Sequence, residues 1–153
     1  MEASLKLLNQ YVKVDDFSAQ EIADQLTSIG HEVEGMHVFA RGDKLVVGYV
    51  KEKVPHPDSD HLNVCQVEVG NGVVQQIVCG APNVDAGQKV IVALPGCDLG
   101  EGFKIKEAKI RGVESNGMIC SIAELGIDQR LLREEDKAGI HVLDADAPVG
   151  EDA

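Results

Sequence analysis

The chain has 153 residues and carries 14 basic against 26 acidic side chains, which gives a formal net charge of −12 at pH 7. The length is enough for one ordinary domain with its own core, and 44% apolar with 26% charged residues is a globular composition. The apolar runs are too short to span a membrane, and the first residues do not resemble a secretory signal. The net charge argues against a nucleic-acid binder as long as the whole chain is considered together.

The charge is uneven along the chain. Residues 1–43 have a balance of −5 and residues 115–153 a balance of −6, whereas residues 44–114 are nearly neutral at −1. Within this middle part, residues 103–111 hold four basic side chains and one acidic side chain. Because salt limits the reach of exposed charges to about 10 Å, such a cluster determines the local field better than the total charge does.

The first 38 residues predict two short amphipathic helices. In the first, Leu5, Leu8 and Val12 recur at helical spacing. The second begins at a capping box of Ser18 and Glu21, and an apolar face follows. Two short helices of this kind cannot bury their own faces. We therefore expect them to pack against the rest of this chain or against sequence outside it.

From residue 44 the hydrophobic period changes to two, which is typical of β-strands. The tripeptide Gly70-Asn71-Gly72 predicts a hairpin between two of the strands, because these residues tolerate the positive φ that tight turns need. The predicted strands cover residues 45–54, 62–69, 73–79, 89–94 and 103–111.

The last of these strands changes its apolar phase near Glu107. Phe103 and Ile105 share one face, whereas Ala108 and Ile110 share the other. A β-bulge at Glu107 would restore a single apolar face and collect four basic side chains on the outer face. These side chains are Lys104, Lys106, Lys109 and Arg111.

Together the elements predict a mainly β (α+β overall) protein. Its centre is a five-stranded barrel of the OB type with short helical inserts, preceded by a two-helix N-terminal segment. We expect residues 1–38 to form the helical segment and residues 39–153 to form the barrel. Ser121 and Glu124 predict a further capped helical turn, which Gly126 would end.

The sequence offers little support for enzyme chemistry in this chain. The stretch from His56 to Cys65 contains two histidines, two aspartates and a cysteine, but its spacing matches no zinc pattern, and it reads as a solvated loop before a strand. The four cysteines lack a Cys-x-x-Cys pair and are expected to be reduced thiols, with those on strands in the core. Nucleophile motifs and phosphate-binding glycine loops are absent from the sequence.

The basic segment has two interpretations. Lysine is common on exposed strands, so a solvated sheet face and a phosphate-binding face both account for it. OB barrels bind oligonucleotides on an exposed strand face, where Lys and Arg would neutralise phosphates. Because aromatic residues are only 3% of the chain, recognition of a structured RNA by shape is favoured over stacking of an extended single strand.

Several runs resemble the signature of the tRNA-binding OB domain. They are His56-Pro57-Asp58-Ser59-Asp60-His61-Leu62, Gly80-Ala81-Pro82-Asn83 and, most specifically, Lys109-Ile110-Arg111-Gly112-Val113-Glu114-Ser115-Asn116-Gly117-Met118. The N-terminal part, with Ser28-Ile29-Gly30-His31-Glu32-Val33-Glu34-Gly35, is similar to the start of the bacterial phenylalanyl-tRNA synthetase beta subunit. Members of that family are far longer. The resemblance implies an N-terminal fragment, in which later sequence completes a first helical domain around the OB domain.

The resemblance also implies a function. In that family the parent enzyme is an α2β2 assembly in the cytoplasm that couples phenylalanine to tRNA with ATP and Mg²⁺, and its catalytic sites lie outside these residues. The implied partners are tRNA, the alpha subunit and the remainder of the beta subunit, without a membrane, and no cofactor, metal or catalytic residue is expected on this fragment. The residues expected to contact tRNA are Lys104, Lys106, Lys109, Arg111, Lys51, Lys53, Asn83, Met118 and Ser121.

Alternatives stay open at this point. One is a free-standing tRNA-binding or chaperone-like dimer of the same barrel, which the helical N-terminus disfavours. Another is a barrel used mainly for subunit packing with weak RNA contact, which the acidic flanks favour. For Asn83, Met118 and Ser121, a role in a turn or a helix cap accounts for the residue equally well.

Overall fold

The structure is a computed structural model that describes residues 3–36, 44–100, 102–127 and 129–153. The chain divides into two compact units, Met1–Val38 and Phe39–Ala153. Within the described ranges, helices are too short or too polar to cross a membrane.

The first unit contains the two predicted helices, α1 (Leu5–Asn9) and α2 (Ala19–Ser28). The capping box at the start of α2 is confirmed. The Glu21 N–H donates to the Ser18 hydroxyl at 3.3 Å, and the Ser18 N–H donates to the Glu21 carboxylate at 2.8 Å. Hydrogen bonds from the Ser18 hydroxyl and, to a lesser degree, from its N–H hold the pKa of Glu21 below its ordinary value.

The apolar faces of these helices remain largely exposed. Ala23 is the buried residue of α2, whereas the exposed apolar side chains of the unit include Leu5, Phe17 and Ile29. The first helix also ends earlier than predicted, at Asn9, whose side-chain oxygen accepts a hydrogen bond from the Val14 N–H at 2.8 Å.

The second unit is built around an antiparallel sheet. The strands are β1 (Leu45–Pro55), β2 (Asn63–Glu68), β3 (Val74–Cys79), β4 (Lys89–Ala93), β5 (Ala108–Ile110), β6 (Val113–Ser115), β7 (Met118–Ile119) and β8 (Val142–Leu143). The main strand order is β3-β2-β1-β4-β7, β8 pairs with β4, and β5 and β6 form a separate hairpin. The helical inserts are the 3₁₀ turns Ile122–Leu125 and Gln129–Leu131 and the short helix α3 (Glu134–Lys137).

The sheet closes into a barrel where the β6–β7 segment meets β3. The Asn116 N–H donates to the Gln76 carbonyl at 2.8 Å, and the Val78 N–H donates to the Ser115 hydroxyl at 3.0 Å. Ser115 is only 2% exposed, so its hydroxyl is a buried link between the two ends of the sheet. The predicted fold class, a mainly β barrel of five principal strands with few helices, is confirmed.

The barrel is filled by aliphatic side chains and thiols. The fully buried residues include Val50, Val67, Ile77, Val90 and Val92. Gly48 on β1 is required by this packing, because a Cβ there would lie 2.5 Å from a methyl carbon of Val92 and 2.8 Å from one of Val67. All four cysteines are buried thiols, as predicted for those on strands.

Residues near the end of the chain continue the sheet along the first half of β1. The Val47 N–H donates to the Glu151 carbonyl at 2.9 Å, and the Gly150 N–H donates to the Val47 carbonyl at 2.8 Å. The Ala153 N–H then donates to the Leu45 carbonyl at 3.2 Å. This pairing covers backbone groups of β1 that β2 does not reach.

The single bulged strand predicted over 103–111 is wrong. Lys104 forms an isolated bridge with Asp98, and Ile105 bonds to the backbone of Gly96 and Cys97. Further along, β5 pairs with β6 and not with the main sheet. Ile105 is the one residue of this segment that is buried in the core. The apolar phase changes at Glu107 because the segment inserts a single side chain into the barrel instead of presenting a continuous face.

Candidate nucleic-acid interface

A groove of about 650 Å³ lies on the surface of the second unit. Its interior is lined by buried residues of β3, β6 and β7, and its rim includes exposed residues of 103–106 on one segment and 137–138 on another. Ser115, whose hydroxyl closes the barrel, is also part of the lining. The groove therefore follows the line along which the sheet closes.

Two of the predicted site cations, Lys104 and Lys106, line this groove. They flank Ile105, whose N–H donates to the Cys97 carbonyl at 2.8 Å and whose carbonyl accepts from the Gly96 N–H at 2.7 Å. Since neighbouring side chains in an extended segment point to opposite sides, burial of Ile105 turns both lysines outward. Among the described residues, neither ammonium group has an ion-pair or hydrogen-bond partner, so both are available to an anion.

The groove contains a cation and an aromatic ring that the sequence reasoning did not select. Lys137 lines it from the end of α3, where its ammonium group pairs with Glu134 at 3.0 Å. Phe103 lines it with 54% of its surface exposed. Lys137 stands in an acidic run without any motif that would mark it. The sequence did contain a signal for Phe103, namely the change of apolar phase near Glu107. Where a predicted strand loses its continuous apolar face, one of its apolar side chains is left exposed to solvent.

The predicted lysines on β1 lie outside the groove lining and have acidic partners. The Lys51 ammonium group lies 3.4 Å from the Glu68 carboxylate, and that of Lys53 lies 3.4 Å from the Asp85 carboxylate. Lys53 also donates to the Val84 carbonyl at 3.1 Å.

The predicted cations of the β5–β6 hairpin also lie outside the lining. Lys109 faces Glu114 across the hairpin at 4.0 Å, and the Arg111 guanidinium donates to the Asp58 carbonyl at 3.2 Å. Ala108 and Ile110 line the groove, and Lys109 between them points to the other side of the hairpin. The four cations expected on one strand face are therefore divided between the groove and the hairpin.

The three predicted motif residues have different environments. Met118 and Ser121 line the groove, whereas Asn83 is outside its lining and bonds the backbone of Ile140 twice. In that pair, the amide oxygen accepts from the Ile140 N–H at 3.0 Å and the amide nitrogen donates to the Ile140 carbonyl at 2.8 Å. Ser121 donates to the Glu124 carboxylate from its hydroxyl at 2.9 Å and from its N–H at 2.7 Å, which confirms the predicted capped turn.

The remaining titratable groups of the groove are unsuited to nucleophilic chemistry. Burial raises the pKa of the Cys79 thiol, and the negative charge of Glu124 raises it further. Behind the groove, burial raises the pKa of Cys120 to about 12, again with a contribution from Glu124. Both thiols are therefore protonated at neutral pH. The charged groups that the groove offers a ligand are the lysines of its rim and the carboxylate of Glu124.

A buried histidine connects the β1–β2 loop to the β5–β6 hairpin beside the groove. His56 is 3% exposed, so the expectation of a fully solvated loop is wrong at this residue. Its Nδ1 accepts from the Asp58 N–H at 3.0 Å, which leaves Nε2 to donate to the Ile110 carbonyl, also at 3.0 Å. Within the described residues, clusters of three or more metal-binding side chains are not found.

The barrel, its groove and the sequence runs around them define a class of protein. A family model described as "Putative tRNA binding domain" matches residues 45–152, which covers the barrel from β1 to the C-terminal pairing. The chain belongs to this tRNA-binding domain family.

Two relatives of the chain are beta subunits of phenylalanine–tRNA ligases. The chain is 51% identical over 144 residues to the phenylalanine–tRNA ligase beta subunit of Shouchella clausii, with 94% of this chain and 18% of that protein covered. It is 48% identical over 154 residues to the beta subunit of Bacillus subtilis, with 100% and 19% covered. It is homologous to the N-terminal region of these subunits and spans about a fifth of their length.

The chain is also similar to the solved structure of a MetRS related protein from Pyrococcus horikoshii. The match covers 70% of this chain and 85% of the Pyrococcus chain. The TM-score is 0.47 and the sequence identity is 24%.

Proposed function

We propose that this chain is the tRNA-binding module of a phenylalanine–tRNA ligase beta chain and that it contacts tRNA through the groove. The observation that supports this most directly is the pair of lysines at the groove rim, Lys104 and Lys106, whose ammonium groups lack partners among the described residues. Exposed lysines without an ion-pair partner neutralise phosphates at low cost, because no existing ion pair has to be broken.

The other predicted residues have supporting roles in this proposal. Lys109 and Arg111 lie on the hairpin whose Ala108 and Ile110 line the groove, so they would reach RNA that extends past the rim. Lys51 and Lys53 would contribute less, since each must first exchange a carboxylate partner for a phosphate. For the motif residues, Met118 would contact RNA from the groove wall, whereas Asn83 and Ser121 would hold the backbone around it.

The parent enzyme belongs to the proposal as well. We propose that it is an α2β2 ligase of the cytoplasm that joins phenylalanine to tRNA, with the alpha subunit and the rest of the beta chain as partners. ATP and Mg²⁺ would act in catalytic sites outside these 153 residues. The support is the identity of the relatives and the fivefold greater length of their chains.

The domain organisation is a further part of the proposal. Residues 39–153 would form the complete RNA-binding barrel, and residues 1–38 would be one piece of a helical domain that other sequence completes. The exposed apolar side chains on the N-terminal helices support this, because they need a covering surface.

The test is tRNA binding by the complete 153-residue chain across a salt series, measured by fluorescence anisotropy. The variant K104Q/K106Q should reduce the slope of log K against log salt by about 0.7 for each lysine. The matched control, K51Q/K53Q, removes two cations of the same barrel that already have partners, and it should change the slope less. Absence of binding at low salt would instead favour a packing role, and an unchanged slope in K104Q/K106Q would exclude the groove.

A further inference from the structure

We propose that the groove takes one unpaired nucleotide, with its base stacked on Phe103 and its flanking phosphates beside Lys104 and Lys106. This inference rests on the proposed tRNA-binding function and specifies which part of an RNA the site recognises. It identifies the ligand as a single-stranded nucleotide within the RNA, as distinct from the outside of a duplex.

The first observation is the position of Phe103. Its backbone is fixed by two hydrogen bonds of 2.9 Å, from its own N–H to the Gly100 carbonyl and from the Leu99 N–H to its carbonyl. The ring is nevertheless 54% exposed, while its neighbour Ile105 provides the anchor in the core. An exposed phenyl ring whose backbone is held by hydrogen bonds is the kind of surface on which nucleic-acid bases stack.

The aromatic content of the barrel makes this ring distinctive. Among the described residues of the second unit, the aromatic side chains are Tyr49 and Phe103. Tyr49 is half-buried on β1 and lies outside the groove lining. One accessible ring suits one base, which agrees with the expectation that an extended single strand is a poor ligand.

The second observation is the chemistry around the ring. Met118 gives the groove a polarizable thioether, which makes favourable contacts with the edges of aromatic rings. The volume of about 650 Å³ is that of a small-molecule site. A base inside a duplex presents its faces only to the adjacent base pairs, so a flat ligand in this groove has to be an unpaired base.

The third observation is the spacing of charge along the rim. Lys104 and Lys106 are two residues apart on a paired segment, which separates their Cα atoms by about 7 Å. Phe103 and both lysines line the same groove, whose acidic side chain is Glu124, so a base on the ring and its flanking phosphates would share that groove with the two cations. An acidic peptide would satisfy the lysines but would leave the ring and the thioether without a flat partner.

The experiment uses the complete chain and a short RNA that carries 2-aminopurine, whose fluorescence is quenched by stacking. It is measured single-stranded and after annealing to its complement, beside tRNA itself. The variants are F103L, which keeps an apolar side chain without a ring, and F103W, which keeps a ring. Y49L is the matched control, since it removes the other described aromatic ring of the barrel.

We expect F103L to weaken binding of the single-stranded RNA about tenfold and to abolish the quenching. F103W and Y49L should retain both the affinity for the single-stranded RNA and the quenching. The salt slope should stay unchanged in F103L because no charge is removed. The duplex should bind more weakly than the single strand to the original chain and should be insensitive to F103L.

Several results would overturn the inference while the proposed function survives. One is that the original chain binds tRNA with the expected salt slope but F103L binds the single-stranded RNA as tightly as the original chain does. Another is equal affinity of the original chain for the duplex and the single strand. A third is an equal loss of RNA affinity in F103L and F103W. Competition by polyglutamate as effective as that by the RNA at equal charge would identify an acidic peptide as the ligand. If the original chain binds neither tRNA nor the oligomer at low salt, the proposed function fails together with the inference.

Discussion

The substitution Ser115→Ala should destabilise the barrel at the line where its sheet closes. The Ser115 hydroxyl accepts from the Val78 N–H at 3.0 Å and donates to the Gly117 carbonyl at 3.3 Å. Ser115 and Val78 are 2% and 8% exposed, so water cannot replace the lost acceptor without a local rearrangement. Alanine therefore removes one weak hydrogen bond and leaves one buried N–H without a partner.

The expected loss in the free energy of unfolding follows from the N–H that is left without an acceptor. A buried donor without an acceptor costs about 1–3 kcal/mol, so S115A should lower the free energy of unfolding by about 2 kcal/mol. The measurement is urea denaturation of the complete chain followed by circular dichroism, with hydrogen exchange of the Val78 amide as a local probe. That amide should exchange faster in S115A, because its acceptor has been removed.

Ser59→Ala provides the matched control. The Ser59 hydroxyl lies in the β1–β2 loop, and its contacts, at 3.4 Å to the His61 ring and 3.5 Å to the His61 N–H, are long for hydrogen bonds. S59A should change stability by less than about 0.5 kcal/mol. The assignment of Ser115 as the closing link would be refuted if S115A had an equally small effect, or if the Val78 amide kept its protection.

Three further predictions concern packing, the helix cap and the thiols. Gly48→Ala should lower the free energy of unfolding by about 1–3 kcal/mol, because its Cβ would fall 2.5 Å from a methyl group; unchanged urea denaturation would contradict this. The pKa of Glu21 is lowered in the folded helix from its ordinary value of 4.5. The cap therefore stabilises α2 fully when the pH is above 4.5, and this stabilisation is lost as the pH falls through the lowered pKa. An NMR titration should show this, and S18A should return the pKa toward 4.5. Burial raises the pKa of Cys65 to about 11 and of Cys120 to about 12, so iodoacetamide at pH 8 should modify them only after unfolding, as followed by mass spectrometry.

The parts of the fold that depend on local sequence could be predicted. The first four strands of the barrel were found within one or two residues, because their alternating side chains meet one continuous interior. The capping boxes at Ser18 and Ser121 could be predicted because four consecutive residues contain the whole interaction. The hairpin at Asn71, whose φ is 53°, was also predictable from its turn residues.

The fifth segment could not be predicted, because its path depends on distant residues. Ile105 is anchored by the backbone of Gly96 and Cys97, and the next strand pairs within its own hairpin. Periodicity assumes that a run of residues follows one partner, whereas this run changes partners between Ile105 and β5. The predicted strand over 103–111 is therefore wrong beyond Ile105, where the local pattern does not report the tertiary contacts.

The dependence on distant residues also explains why only part of the candidate site could be predicted. Counting charges identified the basic segment, but charge alone does not show which lysines have partners. Glu68 and Asp85 are remote in sequence from the lysines of β1 that they neutralise, so their pairing appears only in three dimensions. Lys104 and Lys106 were predicted with the others, and the structure distinguishes them because neither forms an ion pair within the part of the chain that it describes.

The hydrogen bond between Ala153 and Leu45 has a consequence for how such a barrel is carried in a polypeptide. Leu45, at the start of β1, and Ala153 lie at neighbouring positions, separated by about 5 Å as adjacent strands are. A barrel whose two ends meet in this way adds almost no distance between any segments joined to those ends. A barrel of this kind can be inserted as a side branch in another domain, and it can evolve or be exchanged without moving the chain on either side.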